Sequence, residues 1–317
     1  MSNMGKEKIS RDPTIVVPFA GACESSLCQD VFVYLRPESN GIAVESALMK
    51  GVSKVPDWQN NINLVYLANL PGDFLNEKGV VEEHYQTRIK FAKMSKSIFT
   101  PYMAEMFSKH FKVDFGEAEI IGSYSALSLL GLNEDELFKL WVDADDMLII
   151  NGQTIKRIGS FYVVNSDIPA ILNKNNSKTD IAVMIFRTVF WGRDFYNVIL
   201  NMTKVLLDEG ILHSESQFSH VFHYSKGPFE QILDAVGFLY DSSGNHLPLQ
   251  NIRFFNFLLE KGLSVEAVNH LIKQPLFQFK NDKGTIEEKS IFHVTKDLSY
   301  DESWKILKSA TAQVLLK

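Results

Sequence analysis

The chain has 317 residues, 45% of them hydrophobic and 12% aromatic, with a formal net charge of −6. That length and apolar content fill one large core or two modest ones and exclude an intrinsically disordered chain. The acidic balance argues against a nucleic-acid partner, because nucleic-acid-binding domains carry a basic excess.

Residues 1–13 carry Lys and Arg with no apolar stretch after them, so they read as a flexible tail and not as a secretory signal. No run of 18 apolar residues occurs, so no membrane span or membrane partner is expected. Cys23 and Cys28 are too few for a secreted disulfide scaffold or a four-ligand zinc site. They are expected as free thiols in a reducing compartment, and a cytoplasmic location follows by elimination.

The first strand is expected over 14–19, which is rich in β-branched side chains. The run VFVYL at 31–35 is apolar at every position, as suits a strand inside a mostly parallel sheet. Helical spacing over 42–55 and the run INLVYLANL, ending at Pro71-Gly72, complete a strand–helix–strand unit. Two amphipathic helices are expected over 80–112, the second capped by Thr100 with Pro101 at its first position. Two more cover 117–130 and 134–141, where Asn133 and Glu136 are spaced for a capping box. Residues 147–164 read as a β-meander whose Asn151-Gly152 step favours a two-residue hairpin.

The polar stretch NKNNSKTD at 173–180 is the best linker. It separates an N-terminal half (14–172) from a C-terminal half (181–317), and the two are expected to pack as one compact unit. The second half repeats the first: a strand at 180–186, a helix at 194–209 and a strand at 218–224 ending in SKGP. VFVYLRPE resembles VMIFRTVF, and VYLANLPG resembles VFHYSKGP, a weak sign of internal duplication. Helices over 229–240, over 248–261, from Ser264 and over 303–316, with a hairpin around 281–284, complete the chain. The fold class is α/β or α+β, with a mixed, mostly parallel sheet and flanking helices.

Motifs for chemistry are missing. No Walker loop, dinucleotide fingerprint, nucleophile elbow or H-E-x-x-H pair occurs, so no cofactor and no metal are expected. His220 and His223 lie three apart on an expected strand and face opposite sides. Asp143, Asp145 and Asp146 lack the rest of a calcium loop.

What remains is a set of polar groups at strand ends: Arg36, Arg187 with Arg193, and His223, Ser225 and Lys226. In a parallel sheet these loops share one rim, and the helix start after Gly227 adds donors suited to an anion. Two readings follow. The favoured one is a non-enzymatic interaction or regulatory protein. Its partner would meet the basic segment Arg88, Lys90, Lys93 and Lys96, or the acidic segment Asp143, Asp145 and Asp146. The other is an enzyme or sensor binding a nucleotide or phosphorylated metabolite at the rim. Charge runs of this kind are commonly no more than solvated helix faces.

Overall fold

A computed structural model describes residues 10–23, 25 and 27–316. In chain order its strands are β1 (Thr14–Val17), β2 (Gln29–Leu35), β3 (Ile62–Pro71), β4 (Ile120–Gly122), β5 (Met147–Ile150), β6 (Gln153–Ile158), β7 (Phe161–Val164), β8 (Asp180–Thr188), β9 (Phe222–Tyr224), β10 (Leu276–Lys280), β11 (Ile286–Ser290) and β12 (Ala312–Gln313). With the helices between them they make an α+β protein. The chain divides into two units. The first comprises Met1–Val81, Lys174–Ser225 and Asp234–Arg253; the second comprises Glu82–Asn173, Lys226–Leu233 and Phe254–Lys317. The expected linker at 173–180 falls where the chain passes from the second unit back to the first. Of the expected tail, residues 1–9 lie outside the described residues, while Arg11 forms ion pairs with Asp73 and Asp180, each at 2.9 Å.

The first unit is built on one sheet of order β1-β3-β8-β2-β9, and every pairing in it is antiparallel. This corrects the mostly parallel sheet expected from sequence. The apolar runs are real, since β2 is buried at every position. Burial on both faces does not require parallel strands; it requires two covers. On one face Val31, Val33, Leu35, Ala182, Met184 and Phe186 pack against the helices Ile42–Ser53 and Gly192–Asp208. On the other, the Tyr34 ring lies 4.7 Å from that of Phe238, and the Tyr66 hydroxyl donates to the Tyr240 carbonyl at 2.9 Å. Burial pushes the Tyr66 phenol up to about 12.

Without the edge strand β1, the order β3-β8-β2-β9 joins two strand–helix–strand repeats with their helices on one face. This is the ferredoxin-like, split βαβ arrangement. Its two repeats, β2 to β3 and β8 to β9, are the segments whose sequences resemble each other. The helices approach closely at Gly51, where an ideal Cβ would sit 2.4 Å from the Met202 Cα.

The second unit holds a four-stranded sheet of order β4-β7-β6-β5, parallel only between β4 and β7, and a three-stranded antiparallel sheet of order β11-β10-β12. The meander at 147–164 forms as expected. Asn151 and Gly152 both have positive φ, 51° and 77°, and Ile150 pairs directly with Gln153. That is the type I′ hairpin. Thr100 caps the helix Pro101–Phe111, and Asn133 with Glu136 closes a capping box on Glu134–Lys139. Two expected helices give up part of their span to strands. The one expected over 117–130 begins as β4, because residue 122 must be Gly: a Cβ there would meet the Ala92 carbonyl oxygen at 1.9 Å. The one expected over 303–316 forms at Tyr300–Ser309, opened by a Ser299 capping box, and residues 312–313 join β10 as β12.

Two substitutions test these assignments. Gly152→Val should lower stability by about 1 kcal/mol or more, through backbone strain alone, since nothing lies within 4 Å of its Cβ position. Gly51→Ala should cost about 2 kcal/mol through overpacking of the two helices. Urea denaturation midpoints equal to the parent's would refute the turn type and the helix contact respectively.

Candidate functional site

The polar groups at strand ends acquire their positions from the sheet. Because β2 and β8 run antiparallel, Asp30 sits directly opposite Arg187, on the face away from the helices Ile42–Ser53 and Gly192–Asp208. The Arg187 guanidinium donates to both Asp30 oxygens, at 2.7 and 3.3 Å, and to the Gly21 carbonyl at 2.8 Å. Its cationic carbon also stands 5.9 Å from the centre of the Phe19 ring. Asp30 is fully buried and accepts a further bond from the Arg253 amide at 3.3 Å, while Arg253 Nε donates to the Ser25 carbonyl. Asp30, Arg187 and Arg253 thus form one charged network under the 19–28 loop.

That loop contains Cys23 and Cys28, which are joined in a disulfide. The expectation of free thiols is corrected, and with it falls the argument from free thiols to a reducing compartment. Gly21, whose carbonyl accepts from Arg187, has a positive φ of 81°.

Arg36 follows β2 and therefore lies at the far end of the sheet from Arg187. The six residues that separate it from Asp30 span about 20 Å. Its Nε donates to the Ser219 carbonyl at 3.2 Å. Arg193 is exposed in the first turn of the helix Gly192–Asp208. The His223 ring lies against that of Tyr34, 4.9 Å between centres. Ser225 is buried; its hydroxyl donates to Asp234 at 2.6 Å and accepts from the Phe32 amide at 3.1 Å. Its bonds stitch the end of β9 to β2 and to the Asp234 turn of a helix.

In the second unit the Lys226 amide donates to the Glu230 carboxyl at 2.7 Å. The helix Pro228–Phe238 therefore supplies its own acidic group where an external anion was expected. Burial pushes the Glu230 carboxyl pKa up, and the Lys226 amide opposes that rise. Gly227 has a structural use: a Cβ there would meet the Thr295 carbonyl oxygen at 2.5 Å.

The two charge segments differ. Every named residue of the basic one is engaged within its unit. Arg88 pairs with Asp167 at 2.8 Å, Lys90 donates to the Leu316 carbonyl, Lys93 lies over the Tyr124 ring and Lys96 donates to the Gly116 and Ala118 carbonyls. In the acidic segment Asp146 lies 3.6 Å from Arg157, while Asp143 and Asp145 are exposed. Beside them Trp141 is 79% exposed and Ile149 67% exposed.

Of the residues sequence reasoning passed over, Asp30 carried a signal, being an acid one position before a wholly apolar run. Trp141 carried another, a large aromatic in a polar, acidic stretch. Arg253, Asp234 and Glu230 carried none, because their partners are distant in the chain or belong to an ordinary helical turn.

The fold and these groups define an α+β protein with a ferredoxin-like sheet and a second unit inserted largely between β3 and β8. No family model matches the chain, and no curated protein and no solved structure matches it. Among the described residues, no group of three or more His, Cys, Asp or Glu side chains is placed to hold a metal ion, and no helix is long and apolar enough to cross a membrane.

The buried pair gives a direct test. Asp30→Asn leaves Arg187 buried without its counter-charge and should cost about 3–5 kcal/mol, whereas Asp30→Leu with Arg187→Met should cost less than Asp30→Asn alone. Denaturation midpoints in the opposite order would mean that the pair does not organise this end of the sheet.

Proposed function

We propose that the chain is a non-enzymatic interaction protein, working through an acidic and apolar face of its second unit. The observation that carries this reading is the exposure of Trp141 and Ile149 on either side, along the chain, of the exposed Asp143 and Asp145. Large apolar side chains grouped at a surface cost solubility and mark contact sites. Trp in particular is a residue on which binding energy concentrates.

The competing reading, an anionic ligand held at the strand-end rim, has less support. Arg36 and Arg187 lie at opposite ends of β2, Arg187 is neutralised by Asp30, and the Lys226 amide has Glu230 as its partner. A site for phosphate needs several uncommitted donors converging on one point.

Thermal unfolding separates the two readings. Replacing chloride by phosphate at constant ionic strength should leave the melting temperature unchanged, and Trp141→Ala should leave it unchanged too, since the ring is mostly in water. A rise specific to phosphate that is lost in Lys226→Glu would overturn the interaction reading in favour of the anionic ligand, because a ligand that binds the folded state alone raises stability.

A further inference from the structure

We propose that β5 is the docking edge of this face, and that it takes up an added strand from a partner segment alternating basic and apolar side chains. The proposal rests on the interaction reading above and names its partner and mode. β5 is the last strand in the order β4-β7-β6-β5, so one side of it pairs with β6 and the other with no strand among the described residues.

The register says which backbone groups face outward. Ile150 and Gln153 flank the two-residue turn and form a hydrogen-bonded pair, so the next pair, Ile149 and Thr154, is not bonded across. Thr154 turns both its backbone groups the other way. Its amide donates to the Asn165 side chain at 2.9 Å, and its carbonyl accepts from the Asn165 amide at 2.7 Å. The amide and carbonyl of Ile149 therefore point away from the sheet, as by alternation does the carbonyl of Met147, whose amide instead donates to the Ala144 carbonyl.

The side chains agree. Leu148 and Ile150 pack into the core of the unit, while Met147 and Ile149 lie on the opposite face. On that face Lys156, paired with Met147, donates to the Leu140 carbonyl at 2.7 Å. Residue 140 thus lies over this part of the sheet, and Trp141 follows it directly. Strand addition uses an exposed edge for affinity and flanking pockets for specificity. Edges are ordinarily blunted by Lys, Pro or a bulge; the sequence of β5, MLII, has no such residue.

Charge selects the occupant. Asp143 and Asp145 are exposed immediately before the strand. They repel a second copy of β5, which brings the same carboxylates, and attract a strand carrying Lys or Arg.

The test uses the full chain and a short fluorescent peptide of alternating lysine and valine, read by anisotropy at low salt. Saturable binding is expected, weakening as salt is raised. It should fall roughly tenfold or more, about 1.4 kcal/mol, in Ile149→Pro and in the double variant Asp143→Lys with Asp145→Lys. Proline at 149 removes only an outward N–H, and an edge strand tolerates it; Ile149→Lys is the second variant if circular dichroism shows misfolding. Equal binding of a glutamate–valine peptide would overturn the proposal, as would binding indifferent to Ile149→Pro and Ile149→Lys. In the second case loss on Trp141→Ala would leave the interaction reading standing. A dimer of the free chain that Ile149→Pro dissociates would overturn it in favour of a second copy. No binding in any arm would overturn strand addition alone, the phosphate experiment deciding the broader reading separately.

Discussion

The antiparallel pairing of β2 with β8 determines where the other features of the first unit fall. It sets Asp30 against Arg187 at one end of the sheet and leaves Arg36 at the other. With two crossover helices on one face, a covering layer is required on the opposite face, and Phe238 and Tyr240 help to provide it. A buried carboxylate–guanidinium pair contributes little net stability beside an apolar substitute, yet is costly to break, so it constrains register more than it adds strength. The 19–28 loop, with its disulfide, is fixed to the same pair through the Gly21 carbonyl.

The same pairing accounts for the lack of an anion rim. Ligand crevices at strand ends depend on loops leaving parallel strands on one side of a sheet. Here the loops after β2 and β3 leave one end, and those after β8 and β9 leave the other. Arg36 and Arg187, each near the end of the first strand of its repeat, are thereby separated in space. The surface that remains distinctive belongs to the second unit, where an edge strand with one strand neighbour among the described residues, an exposed Trp and two exposed carboxylates fall within ten residues of the chain.

Much of the fold was legible in the sequence. Of the four expected inner strands, three became β2, β3 and β8, while the one expected over 218–224 formed only at Phe222–Tyr224 because Glu215–His220 is a 3-10 helix. The Asn151-Gly152 turn formed as its two residue types dictate, and the caps at Thr100, Asn133 and Ser264 all closed. Strand direction was not legible. A run such as VFVYL reports burial on both faces and says nothing of whether a neighbour runs with it or against it. The similarity of the segments at 31–38 and 183–190 came from a source other than periodicity, since they occupy equivalent places in two strand–helix–strand repeats. Helix ends at 117–122 and 310–316 were misjudged because tertiary contacts, the Ala92 carbonyl against Gly122 and β10 beside β12, override helical spacing. For the site, sequence showed cations but not their partners: Arg187 was visible, and Asp30 acquires its meaning only from the register.

The claim that the second unit offers β5 as a docking edge is tested most directly by residue-resolved amide exchange of the full chain, with and without the lysine–valine peptide. In the free chain the amide of Ile149 should exchange rapidly while those of Leu148 and Ile150 are protected by β6 and that of Met147 by the Ala144 carbonyl. Added peptide should slow Ile149 selectively. Protection of Ile149 already present in the free chain, or peptide-induced protection confined to other segments, would contradict the account.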